Sequence, residues 1–422
     1  MFKIYNFFIY ILIPFLKLNL YIRANRGKEE KSRINERFGL TSATRPKNNL
    51  IWIHASSVGE FNSTTGLIKK ILTNNNILLT TSTVSAYHFA NKIFKNKIIH
   101  QYAPLDHEIW VGKFIDHWQP NYVIWIESDL WPNTLRVINE RKISSILLNL
   151  RISPKSFRRW LIFKKQFSQL MNYFDKVFVQ SDEDLKKISK LTSKKISFIG
   201  NLKLTSLPIA INNEKLNKIK RNLVSKKIIL IASSHPKEED LILDNIKGIV
   251  LNNSNIFVII VPRHPSRANE VLNIARKYLP QSILENNNDF KLSTNCMVSN
   301  SLGEMPLYFE LSDIVILGGS FTNLGGHNPI EPASHNCCIV TGPNIYNWKN
   351  IYYEMDNIGA CVISKDIKVL NDKINLFLDD KNLQEKFKIM AYNYKKQKKD
   401  ILENILEYLN IEIENINNAK SS

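Results

Sequence analysis

The stretch LIWIHASSVGEF, residues 50–61, carries the pattern that decides the fold. A short apolar run, Leu50 to Ile53, is followed by small polar residues and then by a segment with helical spacing. Ser57 followed three residues later by Glu60 has the sequence form of a capping box, in which two side chains satisfy backbone N–H groups at a helix start. The stretch therefore predicts a strand that leads directly into a helix. On these residues alone Glu60 is expected to close the first helical turn, with proton transfer as the alternative.

The same pattern recurs along the chain. We predict strands at residues 50–54, 77–81, 98–102, 122–126, 145–148, 176–179, 196–199, 228–232, 256–261, 295–298, 314–317 and 338–340. Short strands that alternate with helical segments imply parallel sheets with helical crossovers. The expected class is α/β, with two Rossmann-like domains whose strand ends face each other across a ligand-binding cleft.

The length of 422 residues also favours two domains, because a single hydrophobic core stops growing beyond roughly 300 residues. The segment 204–227 shows no strand pattern and is the expected boundary. We predict a membrane-anchor segment with a basic flank at 1–33, an N-terminal domain at 34–205, a C-terminal domain at 206–400 and a tail at 401–422. A helix is expected over residues 382–417.

Positive charge is concentrated in the first half of the chain. Residues 1–205 contain 32 Lys and Arg against 14 Asp and Glu, a balance of +18 out of the total of +19. Such a balance indicates an anionic partner, either lipid headgroups or nucleic acid. Compositional drift in a chain rich in Lys, Ile and Asn is the plainer explanation.

The N-terminal segment favours lipid. The apolar run from Phe7 to Leu16 is short for a spanning helix and contains Pro14, and basic residues follow from Arg23 onwards. A cleavable signal peptide would carry its charge before the apolar run and a small-residue cleavage site after it. We predict an uncleaved anchor that lies in the interface or just spans the bilayer, with the basic flank on the cytoplasmic side. A buried amphipathic first helix is the alternative.

Cysteine and histidine spacing does not suggest a metal. The four cysteines include no C-x-x-C pair, and the nine histidines include no H-E-x-x-H pattern. The triplet Asp182-Glu183-Asp184 resembles a metal-binding D-x-D motif, but it follows Ser181, a typical N-cap residue, and acids are favoured in a first helical turn. We therefore expect helix capping there, and neither a bound metal nor a cofactor.

Glycine is scarce in this chain and clustered at one place. Four of only 14 glycines, Gly318, Gly319, Gly325 and Gly326, lie within VILGGSFTNLGGHNPIEPA, residues 315–333. This segment leaves a predicted strand and is expected to enter a helix with Asn328 as N-cap, Pro329 first and Glu331 third. Backbone amides at such a helix start form an anion site. The pattern predicts a phosphate-binding loop, with a plain strand-to-helix turn as the alternative.

Three further polar clusters follow predicted strands. Two belong to the C-terminal half: Ser233, Ser234 and His235 in LIASSHPKEED, and Arg263, His264 and Arg267 in IIVPRHPSR. Two arginines within five residues suit a ligand with two anionic groups. In the N-terminal half, VIWIESDLWPN leaves Glu127 at a strand end, where a structural carboxylate is the alternative to a catalytic one.

Several of these segments together resemble one enzyme family. The motifs IWIHASSVGEF, YAPLD, IESDLWPN, NLRIS, GNLK, ASSHPKEE, VPRHPSR, NSLGEMPLYFELSD and GGSFTNLGGHNPIEPA occur in the same order in 3-deoxy-D-manno-octulosonic acid (Kdo) transferases of lipid A biosynthesis. The resemblance covers roughly residues 37–347. It implies a GT-B fold and a membrane-attached enzyme at the cytoplasmic face of the inner membrane. It further implies CMP-Kdo as donor co-substrate and a lipid A precursor such as lipid IVA as acceptor.

The resemblance also implies roles for individual residues. Glu60 matches the family's general base and Glu127 a second active-site carboxylate, while Ser57, Gly59 and Lys203 fall in acceptor-side or interdomain motifs. The expected donor-binding residues are Ser234, His235, Arg263, His264, Arg267, Gly318, Gly325, Gly326, His327, Asn328 and Glu331.

This set of residues fits the chemistry. A sugar hydroxyl needs a base when it attacks, and a departing nucleotide needs fixed positive charge and dipoles rather than a strong acid. We therefore expect Glu60 to be catalytic as well as capping, and the reaction to invert the anomeric carbon without a metal. Another GT-B sugar-nucleotide transferase or an epimerase is the nearest alternative. A nucleic-acid-binding module would leave the glycine cluster unexplained.

Overall fold

Two compact units make up the described part of the chain. The computed structural model describes residues 2–207, 211–285, 290–397 and 401–409. The first unit contains the residues up to 207 together with the helical residues 401–409, and the second contains the residues from 211 to 397. The predicted tail falls largely on residues 410–422, which lie outside the described residues.

The first unit is built on a seven-stranded parallel sheet. In chain order its strands are β1 Leu50–His54, β2 Asn76–Thr81, β3 Ile99–Tyr102, β4 Tyr122–Ile126, β5 Ser144–Leu150, β6 Lys176–Val179 and β7 Ile196–Phe198. The spatial order is β3-β2-β1-β4-β5-β6-β7, so the direction of winding reverses between β1 and β4. Both of these strands are buried throughout, as expected for parallel strands covered on both faces.

Helix α1, Phe2–Asn25, precedes the first strand, and the other helices connect the strands. These are α2 Val58–Ile71, α3 Val84–Phe94, α4 Glu108–Trp118, α5 Pro132–Glu140, α6 Pro154–Ile162, α7 Lys164–Asn172 and α8 Asp182–Ile188, with 3-10 turns at Lys31–Phe38, Lys95–Lys97 and Leu202–Thr205. Large aromatic side chains fill the core beneath them: the ring centroids of Trp52 lie 4.8 Å from Phe114 and 5.7 Å from Trp125.

The second unit repeats the architecture. Its strands are β8 Lys227–Ser234, β9 Ile256–Pro262, β10 Ser282–Leu284, β11 Cys296–Val298, β12 Ile314–Leu317, β13 Cys338–Thr341 and β14 Val362–Ile363, in the parallel order β10-β11-β9-β8-β12-β13-β14. The helices are α9 Asn213–Asn222, α10 Glu238–Asn252, α11 Ala268–Tyr278, α12 Met305–Leu311, α13 Ile330–Ala333, α14 Lys349–Asn357, α15 Ile367–Asp379 and α16 Lys381–Gln397, with a 3-10 turn at Pro265–Arg267. The winding reverses between β8 and β12.

The structure confirms the predicted α/β class and the twelve predicted strands, with ends that differ by up to two residues. Two further strands, β10 and β14, were missed. They have three and two residues and lie at the sheet edges, so they are too short for an apolar pattern to show. The helix predicted from residue 382 begins at Lys381; residues 398–400 and 410–417 of that prediction lie outside the described residues.

The N-terminal helix α1 exposes most of its apolar side chains. Residues 5–25 form one stretch long and apolar enough to cross a membrane, with a mean hydropathy of 1.5. Phe7, Phe15 and Tyr21 are each more than 60% exposed. The start of the helix is attached to the first unit, because Tyr5 donates to Asp106 at 2.9 Å and Asn6 donates to Glu108 at 3.0 Å.

Asp106, the last residue of the YAPLD motif, organises the start of α5. The N-cap position of α5 is Trp131, whose side chain does not cap it. Asp106 replaces the missing cap. Its carboxylate accepts the backbone N–H groups of Asn133, 27 residues further along the chain, at 3.0 Å and of Thr134 at 2.8 Å. The helix that follows Glu127 is therefore held by a buried carboxylate that also binds α1.

We expect Asp106→Asn to lower the free energy of unfolding by about 1–3 kcal/mol, because the amide cannot accept all of these donors. Urea unfolding followed by circular dichroism measures the change. The control is Asp116→Asn, which removes only the exposed pair with Arg141 and should change stability by less than about 1 kcal/mol. Equal effects of the two substitutions would contradict the capping role.

Candidate functional site

Four of the five predicted site residues of the first unit follow β1 or β4, where the winding of the sheet reverses, and the fifth, Lys203, lies in the 3-10 turn after β7. Ligands of open α/β sheets bind at such a switch point. Ser57 is the N-cap of α2, and its hydroxyl accepts the Glu60 N–H at 3.4 Å. The Glu60 carboxylate accepts the N–H of Ser56 at 2.6 Å, one residue before the partner that a standard capping box uses. Capping thus engages one Glu60 oxygen, Oε2.

Glu127 directly follows β4 and is 9% exposed. Its carboxylate forms an ion pair with the Lys203 ammonium at 2.7 Å and accepts a long hydrogen bond, 3.4 Å, from the Asn149 amide. Both Glu127 and Asn149 have left-handed backbone conformations, with φ values of +60° and +61°. Such conformations are unfavourable for residues other than glycine and are concentrated at functional sites.

Asn149 links this ion pair to the turn that carries Lys203. Its side-chain oxygen accepts the N–H of Leu202 at 3.0 Å while its amide group donates to Glu127. Asn149 belongs to the NLRIS motif, which predicted no role for this residue. A bond that spans 53 residues leaves no local signal in the sequence.

The Glu60 carboxyl group has an unusually high proton affinity. Burial raises its pKa to about 8, and the nearby negative charges of Glu127 and Asp129 act in the same direction. The Ser56 N–H and the Lys203 ammonium oppose this rise without cancelling it. A carboxyl group with a pKa close to the working pH is suited to exchange protons with a substrate.

His54 and Asp129 form a second polar pair at this edge. His54 Nε2 lies 3.5 Å from Asp129, and its Nδ1 lies 2.9 Å from the Thr80 hydroxyl, which already accepts the Trp52 N–H. Because an indole only donates, the Thr80 hydroxyl can donate to His54 Nδ1, an arrangement that directs an Nε2 proton towards Asp129. Burial alone would raise the pKa of Asp129, but the His54 contact holds it below its usual value.

Two glycines of the first unit have different roles. A Cβ at Gly66, in the middle of α2, would lie 2.2 Å from the backbone oxygen of Thr205, so α2 packs directly against the turn that carries Lys203. A Cβ at Gly59 would approach only Ser57 Oγ, at 4.0 Å. Gly66 is therefore a positioning residue that sequence reasoning missed, whereas packing within the unit does not demand glycine at position 59.

The predicted donor residues of the second unit lie at the carboxyl ends of β8, β9 and β12. Glu238, at the start of α10, is fully buried and joins two of these loops: its carboxylate accepts the N–H groups of His235 at 3.1 Å, Gly319 at 2.7 Å and Phe321 at 2.9 Å. Gly318 packs against the backbone of Ser233, where a Cβ would lie 2.5 Å from the carbonyl oxygen. Glu238 was not among the predicted site residues.

Two histidines meet between these loops. The Nε2 atoms of His235 and His327 are 2.9 Å apart, and their rings are nearly parallel with centroids 5.1 Å apart. Burial lowers the pKa of His327 to about 4, with further lowering by His235 and Arg263. Burial and then Arg263 also lower the pKa of His235. Both imidazoles are therefore neutral at pH 7, and one donates a hydrogen bond to the other.

The two predicted arginines differ in their surroundings. Arg263 follows β9 and is exposed, as is His264. Arg267 instead forms ion pairs with Glu239 at 2.8 Å and Glu270 at 2.7 Å, and these bonds raise its pKa above the usual value. Ser234 also donates to Glu239, at 2.9 Å. The charge of Arg267 is thus balanced within the protein, whereas Arg263 forms no ion pair among the described residues.

The helix predicted after the glycine cluster differs from the prediction. The helix α13 begins at Ile330 instead of Pro329, its N-cap is Pro329 instead of Asn328, and it has only four residues. Pro329 and Pro332 supply no N–H, and the chain turns at Asn336 with a φ of +55°, which ends the element. Asn328 caps the amide of Ile330 at 3.0 Å. A helix dipole therefore cannot support an anion site here.

The glycine loop is nevertheless tightly folded. Gly319, Gly325 and Gly326 have φ values of +68°, +90° and +73°, and the Gly326 N–H donates to the Gly319 carbonyl at 2.8 Å. Glu331 is half-buried nearby; burial raises its pKa, and Arg263 and Lys395 oppose this rise. A strand and a short helix flank this loop, as in a plain strand-to-helix turn. The loop between them is a closed glycine turn beside the histidine pair.

The triplet Asp182-Glu183-Asp184 occupies the first turn of α8, as predicted. The Ser181 hydroxyl accepts the Asp184 N–H at 3.1 Å, and the Asp184 carboxylate accepts the Ile152 N–H at 3.0 Å. Helix capping at this triplet is therefore confirmed.

Comparison with solved structures shows that the fold is GT-B-like. A glycosyltransferase from Rickettsia africae ESF-5 aligns over 88% of this chain and 99% of its own, with a TM-score of 0.61 and 15% identity. A putative UDP-N-acetylglucosamine 2-epimerase from Listeria monocytogenes aligns over 87% of this chain and 97% of its own, with a TM-score of 0.61 and 12% identity. At these identities the similarity is one of fold.

Sequence comparison defines the family. The family model for 3-deoxy-D-manno-octulosonic-acid transferase (kdotransferase) matches residues 32–206. The chain is 32% identical over 391 residues to the 3-deoxy-D-manno-octulosonic acid transferase of Rickettsia bellii (strain RML369-C), covering 91% of this chain and 93% of the relative. The chain belongs to the 3-deoxy-D-manno-octulosonic acid transferase family and is a glycosyltransferase.

We expect Gly66→Ala to disturb the Lys203 turn. The added methyl group must displace the Thr205 backbone, so we expect about 1–3 kcal/mol of destabilisation in urea unfolding and a loss of activity measured at a temperature where the variant is folded. Gly112→Ala in α4 is the control, because a Cβ there meets no atom within 4 Å. Unchanged activity of folded Gly66→Ala would contradict the positioning role.

The raised pKa of Glu60 predicts a pH-dependent effect on stability. The folded state favours the protonated carboxyl group, so the stability associated with it is present below the unfolded-state pKa and is lost as the pH rises towards about 8. Glu60→Gln cannot ionise. The variant should therefore gain stability relative to the wild type between pH 5 and pH 8, measured by urea unfolding across that range. A constant difference over the range would show that the pKa is not raised.

Proposed function

We propose that this enzyme transfers Kdo from CMP-Kdo to a hydroxyl group of a lipid A precursor such as lipid IVA. The family establishes the transferred sugar class, and the proposal adds donor, acceptor and mechanism. The observation that carries the mechanism is the ion pair between Lys203 and Glu127. It leaves Glu60, in the first turn of α2, as the nearby carboxyl group with a raised pKa.

In the proposed step the Glu60 carboxylate takes the proton of the acceptor hydroxyl as its oxygen forms a bond to the anomeric carbon. The bond from that carbon to the phosphate oxygen breaks, and CMP leaves with the electron pair. Direct attack inverts the anomeric carbon, and the transition state resembles an oxocarbenium ion. Proton transfer of this kind contributes roughly 10²–10⁴-fold to a rate.

The second unit is proposed to bind the donor. CMP-Kdo carries a phosphate and a carboxylate, and Arg263 is an exposed cation beside the His235 and His327 pair. An incoming anion would raise the proton affinity of both imidazoles, so that the pair becomes a hydrogen-bond donor to the ligand. We propose that this charge, together with the glycine loop amides, stabilises the departing nucleotide without a metal or other cofactor.

The proposed location is the cytoplasmic face of the inner membrane, with α1 as the anchor. Its exposed apolar side chains suit lipid, and the basic flank that follows suits anionic headgroups. An acceptor with acyl chains resides in the same bilayer. The +18 balance of residues 1–205 would attract its phosphate groups, and nucleic acid is not a proposed partner.

Mass spectrometry of lipid products after incubation with freshly prepared CMP-Kdo and lipid IVA tests the proposal. We expect acceptor carrying added Kdo with CMP-Kdo, and unchanged acceptor with uridine-linked sugars. Thermal shifts with CMP and UMP test the donor site separately, and CMP should give the larger shift. A larger shift with UMP and no Kdo product would overturn the proposed donor.

Glu60→Gln tests the base. Glutamine can accept the Ser56 N–H but not a proton, so transfer should fall by about 10²-fold or more while the protein stays folded. The wild-type rate should rise with pH up to about pH 8, because the base must be ionised. Glu140→Gln, on the exposed end of α5, is the matched control and should retain full activity. Equal activity of the two variants would exclude Glu60 as base.

A further inference from the structure

The corner between α6 and α7 exposes three consecutive apolar side chains. Leu161, Ile162 and Phe163 are 48%, 77% and 51% exposed. Phe163 lies between the two helices and belongs to neither. Beneath it the rings of Trp160 and Phe167 pack with centroids 5.2 Å apart. The corner is thus anchored on its inner side, while its apolar tip has no covering element among the described residues. We call residues 155–165 the α6–α7 corner.

Positive charge surrounds this tip. Lys155, Arg158, Arg159, Lys164 and Lys165 are all exposed, and residues 141–174 contain eight Lys and Arg and no Asp or Glu. Within the part of the chain that the structure describes, none of these five cations forms an ion pair with a carboxylate. Their charge is therefore available to an external anion.

We propose that the α6–α7 corner is a second membrane-contact surface, which inserts its apolar tip between anionic phospholipids while the surrounding cations bind their headgroups. Apolar residues with Lys and Arg beside them are typical of elements that lie in the membrane interface. The positive charge argues against a second copy of this chain as occupant, because a symmetric interface would bring five cations of one copy against five of the other. The contact is additional to α1.

The corner lies beside Glu127, so a membrane contact there would be next to the active site. This consequence rests on the proposed transfer. A cavity of about 280 Å³ is lined by Glu127, Leu130, Ser153, Trp160 and Phe167, together with neighbouring residues of the same loops. The side chains under the corner thus share a cavity with the active-site carboxylate. Leu130 lies three residues before Asn133, whose backbone N–H donates to the Asp106 carboxylate. The hydroxyl of Tyr5 in α1 donates to the same carboxylate. Both apolar surfaces are attached to the start of α5.

Site-specific labelling tests the contact in the full chain. All four native cysteines are buried, so Ile162→Cys adds an accessible thiol for a polarity-sensitive fluorophore. Vesicles that contain phosphatidylglycerol should shift the emission to shorter wavelength and increase its intensity, and vesicles of phosphatidylcholine alone should have a much smaller effect. Val224→Cys, 71% exposed in the second unit, is the matched control and should show no shift. Neither donor nor acceptor is present, so the result is independent of the transferase proposal.

A double substitution tests the charges. Arg158→Glu with Arg159→Glu in the labelled chain should reduce the shift at position 162 at least several-fold, and added salt should weaken the wild-type shift, because exposed charges are screened. If the protein floats with the vesicles but the emission of the label at position 162 does not change, α1 alone binds the membrane. That result would overturn the proposal. A shift without vesicles that grows with protein concentration would indicate a second copy instead. An equal shift with a DNA duplex would indicate a nucleic-acid surface.

Discussion

The ion pair between Glu127 and Lys203 sets the balance of charge between the two carboxyl groups at this edge of the first unit. Glu127 and Glu60 follow adjacent strands, β4 and β1, and two nearby carboxylates without a cation would compete for the same proton. Lys203 contacts Glu127 directly at 2.7 Å, whereas it acts on Glu60 only as a weaker opposing charge. The two carboxyl groups therefore differ in state: one is held in an ion pair, and the other retains a pKa of about 8.

The surrounding structure serves to hold this ion pair. Asn149 bonds both Glu127 and the Leu202 N–H, and the absence of a side chain at Gly66 allows α2 to pack against the turn that carries Lys203. The left-handed conformations of Glu127 and Asn149 store unfavourable backbone energy, which these long-range bonds offset. The α2 helix thus contributes Glu60 at its first turn and the packing surface for Lys203 two turns later.

A buried carboxylate has a comparable role in the second unit. Glu238 bonds three backbone N–H groups of two loops and so brings His235 to His327 beside the glycine turn. Arg267, which was predicted to bind the donor, pairs with Glu239, and Glu239 also accepts a hydrogen bond from Ser234. The two arginines differ because Arg267 pairs with Glu270, three residues along the chain, and with Glu239, 28 residues away, while Arg263 is exposed.

Local sequence patterns were sufficient for twelve of the fourteen strands, for the helix caps at Ser57 and Ser181, and for the placement of Glu60 in a first helical turn and of Glu127 at a strand end, because each depends on residues within one turn or one strand. The predicted helix after the glycine cluster was wrong in start and length, since two prolines and a left-handed Asn336 outweigh a favourable N-cap. Contacts across the fold were decided by the tertiary structure alone: Asp106 on α5, Asn149 on Leu202, Glu238 on Gly319 and the packing of Gly66 on Thr205. A hydrogen bond or a close approach between residues 27 to 139 positions apart has no periodicity that a sequence can display, so only the folded chain brings those groups together.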